Sequence, residues 1–328
     1  MNIMPLPIVV SGAAGFIGSH LCRLLLQQGR HVVGIDDFRS SNKRAISALT
    51  AYPNFQFIEA DIVNIDNLNL KASACIVHLA SAKIPRYSSG WDVIENNQKV
   101  NSAVLNYCIK TNTRLLFAST SDVYGKNPNP PFSELHDCVI GSPENKRWAY
   151  ALSKLFMEHA LSAAGREFGL NYQIMRFFGC YGPGMAQGWW GGPQSVFIEQ
   201  ALKREAFTIH GDGLQTRSYI YISDLVNAVS LLLEKSELPS QVWNICAKSD
   251  SSIGVLDLAR LIYKLVNGEG EALFQFIPYE SFGKYEDVRH RSGLNDKAQA
   301  LLGWQPHIEL HEGLIETIAQ MQMEIGRT

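Results

Sequence analysis

A short apolar run at residues 7–11 breaks into Gly12-Ala13-Ala14-Gly15-Phe16-Ile17-Gly18, after which Ile17, Leu21, Leu24 and Leu25 follow helical spacing. Three glycines at intervals of three, set between a strand and a helix, leave few folds open. One glycine permits the tight turn, the next lets a pyrophosphate approach the backbone, and the third lets helix and strand pack closely. The helix N-terminus that Phe16 and Ile17 begin offers N–H donors and partial positive charge to an anion. Gly29 is placed to end that helix.

The alternation continues down the chain. Strands are predicted at 31–35, 55–60, 75–79, 114–119 and 172–177, with helices at 42–50, 93–110 and 148–164. Beyond a glycine- and tryptophan-rich stretch, further elements are predicted at 195–202, 207–210, 223–233, 242–246 and 253–266. The pattern predicts an α/β fold: a Rossmann-type doubly wound parallel sheet with a smaller mixed α/β substrate lobe. The expected division is a nucleotide-binding domain over 1–178, to which some later segments return, and a mainly substrate-binding domain over 179–328.

The second strand runs into Ile35-Asp36-Asp37. A carboxylate there accepts hydrogen bonds from both hydroxyls of an adenosine ribose and repels a 2′-phosphate, which favours NAD over NADP. Arg39 and Lys43 come soon after and pull the other way. Asp61, ahead of Ile62 at the end of the third strand, has two readings, a contact to an adenine amine or a helix cap.

Composition narrows the class of partner. The 29 Lys and Arg against 31 Asp and Glu, with no basic block, argue against nucleic acid or a membrane surface and for a small molecule. Six dispersed cysteines without a C-x-x-C pair or a Cys/His cluster read as reduced thiols and give no metal site. The first ten residues lack a basic start before a long apolar stretch, and no apolar run approaches the ~18 residues of a membrane span. The expectation is a cytoplasmic enzyme.

Tyr150-Ala151-Leu152-Ser153-Lys154 sets a phenol and an ammonium one helical turn apart. A nearby cation stabilises a phenolate, so the tyrosine can take or return a hydroxyl proton. Upstream, the 114–119 strand runs into Ser119-Thr120-Ser121-Asp122-Val123-Tyr124-Gly125, placing hydroxyls and a carboxylate where parallel sheets hold their ligands. Thr120 can hydrogen-bond the same substrate hydroxyl as Tyr150.

With these residues in place, the chain resembles the extended short-chain dehydrogenase/reductase family, in its NAD-dependent nucleotide-sugar epimerase/dehydratase branch. The likeness runs through the glycine turn, Asp36, His78-Leu79-Ala80-Ser81, the Ser-Thr-x-x-Val-Tyr-Gly segment, Tyr150 and Lys154, residues 176–183, and residues 211–219. It implies that Tyr150, with Lys154 and Thr120, removes a proton from a sugar 4-hydroxyl while the C4 hydride passes to NAD. It also implies that Leu79, Ala80 and Lys83 lie on the cofactor side. Arg217 aligns with an arginine that pairs with the nucleotide diphosphate, and Arg289 is a second candidate. The expected partner is a UDP- or dTDP-linked sugar. A homodimer is expected through the helices at 93–110 and 151–164.

The fate of the 4-keto sugar turns on the residues after Thr120. Relatives that are 4,6-dehydratases carry Thr-Asp-Glu there, decarboxylases Thr-Ser-Glu, and ordinary 4-epimerases usually no acid. Here the segment is Thr120-Ser121-Asp122. An acid at 122 leans the reading toward elimination, a 4,6- or 5,6-dehydratase, ahead of a UDP-hexose or UDP-hexuronate 4-epimerase and then a UDP-glucuronate decarboxylase. Lys83 matches epimerase-like members and pulls the other way. Gly179 stands where the resemblance puts a substrate-facing asparagine, so sugar or diphosphate contacts differ there. Trp189-Trp190 is an apolar wall for the sugar, a lid or a dimer contact. Two other classes stay open: a non-catalytic NAD-binding sensor, and a reductase that releases its cofactor each turnover.

Overall fold

The computed structural model describes residues 6–70, 72–83 and 89–325. Residues 1–5, part of the stretch expected to lack a leader, lie outside the described residues. The chain begins with β1 (Ile8–Ser11), α1 (Phe16–Gln27), β2 (Val32–Asp36), α2 (Arg44–Ser47), β3 (Phe55–Glu59) and β4 (Cys75–His78). It continues through α3 (Gly90–Thr111), β5 (Arg114–Thr120), α4 (Trp148–Phe168), β6 (Tyr172–Phe177) and β7 (Gly179–Tyr181). Then come α5 (Pro193–Lys203), β8 (Phe207–His210), β9 (Thr216–Arg217), β10 (Tyr219–Tyr221), α6 (Ile222–Glu234) and β11 (Gln241–Ile245). The last elements are β12 (Ile253–Gly254), α7 (Val255–Asn267), β13 (Phe274–Ile277), β14 (His290–Arg291), α8 (Asp296–Leu302) and α9 (Leu310–Ile325).

Among the described residues, seven strands form one sheet in the order β11-β6-β5-β4-β1-β2-β3, and every pairing in it is parallel. From β1 the chain winds outward one way through β2 and β3, then the other way through β4, β5 and β6. The reversal lies between β1 and β4, so the C-terminal ends of β1, β4 and β5 open onto one crevice. β11, 64 residues after β6 closes, returns to the far edge of the same sheet beside β6.

Alternation along the strands divides the core. Val10, Val77, Leu116 and Met175 face α1 and α6, which contribute Leu21, Leu25, Leu225 and Val229. Val9, Ile76, Leu115 and Phe117 face α3 and α4, which contribute Val100, Val104, Met157 and Leu161. Each such side chain stabilises the fold by about 1.5–3 kcal/mol on burial.

Two helices differ from their sequence limits for identifiable reasons. α4 runs past residue 164 to Phe168 and stops where Gly169 takes φ +70°. Its internal Gly165 faces the Tyr172 ring, where a Cβ would come within 2.7 Å. The glycine there serves close packing of β6 on the helix rather than termination. The helix expected at 42–50 is instead α2 followed by a 3-10 turn at Leu49–Ala51.

Candidate active site

The glycine turn closes over β1. Gly12 adopts φ +74°, and a Cβ on it would stand 2.8 Å from the Ala80 nitrogen. A Cβ on Gly18 would meet the Gly12 carbonyl oxygen at 2.0 Å. Gly15 caps α1 without any side-chain acceptor, so backbone N–H groups of the helix's first turn are left for an anion. Leu79 and Ala80 flank this turn from the end of β4: Leu79 N–H donates to the Ser11 carbonyl at 3.2 Å and Ala80 N–H to the Ser11 hydroxyl at 3.4 Å. Beneath them the buried His78 joins the Ser11 hydroxyl at 2.6 Å to Asn101 at 3.1 Å. Burial, then the charge of Lys154, pulls its imidazole down to about 3, so it is a neutral strut.

Asp36 ends β2 beside this turn and accepts from Ala14 N–H at 3.0 Å, Phe38 N–H at 2.9 Å and the Ser41 hydroxyl at 2.7 Å. The carboxylate is thereby fixed at the position expected of the ribose acceptor. Arg39 is committed to acids, 2.9 Å from both Asp37 and Asp61, and Lys43 lies 2.8 Å from Glu59. Asp61 caps the 3-10 turn that Ile62 begins, accepting from Val63 N–H at 3.0 Å, while also binding Arg39. The cradle without a Cβ, the uncapped helix and the fixed Asp36 fit an NAD pyrophosphate and ribose.

At the end of β5, the Thr120 hydroxyl stands near the Tyr150 phenol and favours its charged form. Lys154 Nζ donates to the Ala118 carbonyl at 2.8 Å and lies 5.9 Å from the Tyr150 ring centre. Burial pushes the Tyr150 phenol up to about 12, with Thr120 opposing, and pulls Lys154 down to about 7, with Glu158 opposing. Asn97 of α3 ties the loop after β4 to this helix, bonding both Ala82 backbone groups and the Ser153 hydroxyl at 2.8–3.0 Å. Ser121 is buried at the start of the next turn, where Thr120 accepts from Asp122 N–H at 3.2 Å.

Asp122 is held between two guanidiniums, Arg147 at 3.2 Å and Arg291 in closer contact. Arg147 also binds Asp287 at 2.9 Å, and Asp287 binds Arg217 at the same distance. The phenol of Tyr285 accepts from Arg147 at 2.7 Å, and that of Tyr279 donates to Asp287 at 2.7 Å. Arg217 and Arg291 are register partners in the parallel β9–β14 pair, so two cations stand side by side. Arg289 does not join them. It lies ahead of β14, half-exposed, and binds Asp212 at 2.8 Å on the outside. Arg291, not Arg289, stands beside Arg217. Sequence reasoning missed Arg147 and Arg291. The available signals were the spacing of Arg147 three residues before Tyr150, on one helix face, and the two-residue alternation after Arg289.

Gly179 has little room for a side chain, because the Tyr219 ring would stand 2.8 Å from a Cβ there. Of the two tryptophans, Trp189 is the inner one, stacked on His210 with ring centres 4.1 Å apart. Trp190, the one expected to meet substrate, is half-exposed, and its carbonyl accepts from Lys83 Nζ at 3.3 Å. No helix among the described residues is long and apolar enough to cross a membrane.

The model of the NAD dependent epimerase/dehydratase family matches residues 8–246. The chain is 34% identical over 320 residues to UDP-glucuronic acid decarboxylase 1 of Xenopus tropicalis, covering 97% of this chain and 72% of that one. It is 29% identical to UDP-N-acetyl-alpha-D-glucosaminuronate decarboxylase of Bacillus cytotoxicus, covering 94% and 96%. Among solved structures, UDP-glucuronic acid 4-epimerase from Bacillus cereus in complex with UDP-glucuronic acid and NAD superposes with a TM-score of 0.85. The two are 29% identical, over 97% of this chain and 100% of that one.

Proposed function

The chain belongs to the NAD-dependent epimerase/dehydratase family, and from that membership we propose that it oxidises a UDP-hexuronate at C4 and releases the C6 carboxylate as carbon dioxide. The observation that carries the first step is Lys154, held by the Ala118 carbonyl at 2.8 Å and 5.9 Å from the Tyr150 ring centre, with Thr120 near the phenol at the end of β5. Tyr150 as phenolate takes the 4-hydroxyl proton, Thr120 orients that hydroxyl, and Lys154 as ammonium stabilises the phenolate. NAD, when bound, would supply the acceptor for the C4 hydride and, once reduced, the donor that returns it. Arg217 and Arg291, side by side across β9 and β14, suit the two phosphates, each guanidinium forking onto phosphate oxygens.

The second step needs no acid from Asp122. A 4-keto hexuronate is a β-keto acid: the C5–C6 bond breaks, its electron pair delocalises onto the C4 oxygen, and C5 then takes a proton from water. Elimination, the outcome favoured on the sequence alone, needs a group to protonate the departing 6-hydroxyl. Asp122 is poorly placed for that, because Arg147 and Arg291 bind it as an anion. Its role is to brace the arginines. Asp122→Asn is therefore expected to raise KM for the nucleotide sugar about tenfold, equivalent to about 1.4 kcal/mol, and to leave product identity unchanged by NMR. A product switch, or loss of turnover with KM unaltered, would restore an acid role.

A second reading, 4-epimerisation, draws on the solved neighbour that is a UDP-glucuronic acid 4-epimerase. UDP-glucuronate labelled with heavy carbon at C6 separates the two. Labelled carbon dioxide with a UDP-pentose supports decarboxylation, and retention of the label in a C4 epimer supports epimerisation.

Self-association is proposed through the outer face of α3 and α4, where Trp91, Leu152 and Phe156 are 68%, 50% and 58% exposed. All three are large apolar side chains left exposed on two helices that pack on each other. Phe156→Glu is expected to convert a dimer to monomer in sedimentation velocity, and an unchanged dimer would place the interface elsewhere.

A further inference from the structure

We propose that Glu158 is a positioning residue that keeps Lys154 charged beneath Tyr150, the third member of a row clasped by three consecutive residues of β5; this rests on the roles assigned to Tyr150 and Lys154 in the proposed oxidation. Tyr150, Lys154 and Glu158 recur every four residues on α4 and share one face. The Ala118 carbonyl holds Lys154 at 2.8 Å, the Ser119 hydroxyl donates to Glu158 Oε1 at 2.5 Å, and the Thr120 hydroxyl stands near the Tyr150 phenol. Arg176 of β6 closes the row. It reaches both Glu158 oxygens, at 3.1, 3.2 and 2.6 Å, and lies over the Tyr124 ring.

Holding a helix on a strand does not require a buried ion pair, since apolar side chains of similar volume do that as well. What the pair adds is a fixed dipole whose negative end, Glu158, lies one turn from Lys154. The titratable groups that act on that ammonium are Tyr150 and Glu158 from its own helix and His78 from β4, with Arg176 of β6 paired to Glu158. Arg176 is committed to Glu158 and His78 is neutral. Burial pulls Lys154 down even with Glu158 opposing. With one proton between them, Tyr150 and Lys154 exist as phenolate–ammonium or phenol–amine, and only the first can take a sugar proton. Glu158 lies one turn from Lys154 and two from Tyr150, so losing its charge weakens the ammonium more than it helps the phenolate. The active form becomes scarcer and the pair's first proton leaves at a lower pH.

Glu158→Gln leaves Arg176 buried without its counter-charge, so E158Q/R176M is made beside it, with Glu158→Asp as the charge-retaining control. The direct measurement is a nitrogen NMR titration of lysines in cofactor-free protein, with the signal assigned through Lys154→Met. Lys154 is expected to titrate near pH 7 in the parent, at about the same pH in Glu158→Asp, and about one pH unit lower in E158Q/R176M. With NAD and UDP-glucuronate, the acid limb of nicotinamide reduction should move the same way, with its plateau lowered about tenfold. A folded double variant whose Lys154 titration and acid limb both stay in place would overturn the proposal and leave Glu158 as scaffolding. Tyr150→Phe distinguishes the two failures: full activity in that variant sinks the assignment of the base, while the lysine titration is read without substrate.

Discussion

Replacing Tyr150 by phenylalanine is expected to slow reduction of the bound nicotinamide by a UDP-hexuronate roughly 10²–10⁴-fold, the range typical of a lost general base. Stopped-flow absorbance reads the step directly. Nucleotide-sugar affinity should change little, because the diphosphate is assigned to Arg217 and Arg291 on other elements. The reasoning is local. Burial favours the protonated phenol and, with Thr120 opposing, pushes it up to about 12. Thr120 near its hydroxyl and Lys154 beside its ring favour the phenolate, and the substitution removes the oxygen that takes the proton. A variant within threefold of the parent would mean that another group takes the proton.

The second large effect is expected of Gly18→Ala. Its Cβ would fall 2.0 Å from the Gly12 oxygen and 2.8 Å from the Gly12 carbon, and both are backbone atoms that cannot swing aside. Opening the turn to fit the methyl costs about 1–3 kcal/mol as an overpacking penalty, and it spoils the cradle on which the pyrophosphate would rest. Purified protein should lose bound NAD, read by release of nucleotide on denaturation, and its melting temperature should fall. Gly29→Ala is the matched control. Gly29 has φ +76° but open space around it, so that variant should lose some stability through backbone strain and retain its cofactor. Retention of NAD by Gly18→Ala would contradict the role assigned to the turn.

Much of the fold was legible because it rests on periodicity and on residues with few conformational alternatives. The glycine turn, the alternating elements of the first half, and the Tyr150/Lys154 spacing each rest on local geometry. The Asp36 carboxylate likewise gains its place by ending a strand beside that turn. The features that stayed hidden depend on long-range pairing. Nothing local distinguishes Arg289 from Arg291; the β9–β14 register, across more than seventy residues, puts one outside against Asp212 and the other beside Arg217. The ion pairs of Asp122 were hidden because its partners, Arg147 and Arg291, lie 25 and 169 positions away. The missing asparagine at Gly179 was visible in the sequence, but its physical reason, the Tyr219 ring, comes from the parallel pairing of β7 with β10. Helix limits were misjudged where glycine plays two parts: Gly165 serves packing inside α4, and Gly169 serves termination.

The most direct measurement uses UDP-glucuronate carrying deuterium at C4. It is mixed with the NAD-loaded protein and quenched before a turnover is complete, and the nicotinamide is recovered for mass spectrometry. Hydride abstraction from C4 predicts reduced nicotinamide one mass unit heavier than that formed from unlabelled substrate, and none in Tyr150→Phe over the same interval. Reduced nicotinamide without the label, or product formed with no reduction at any time, would contradict oxidation at C4 as the opening step.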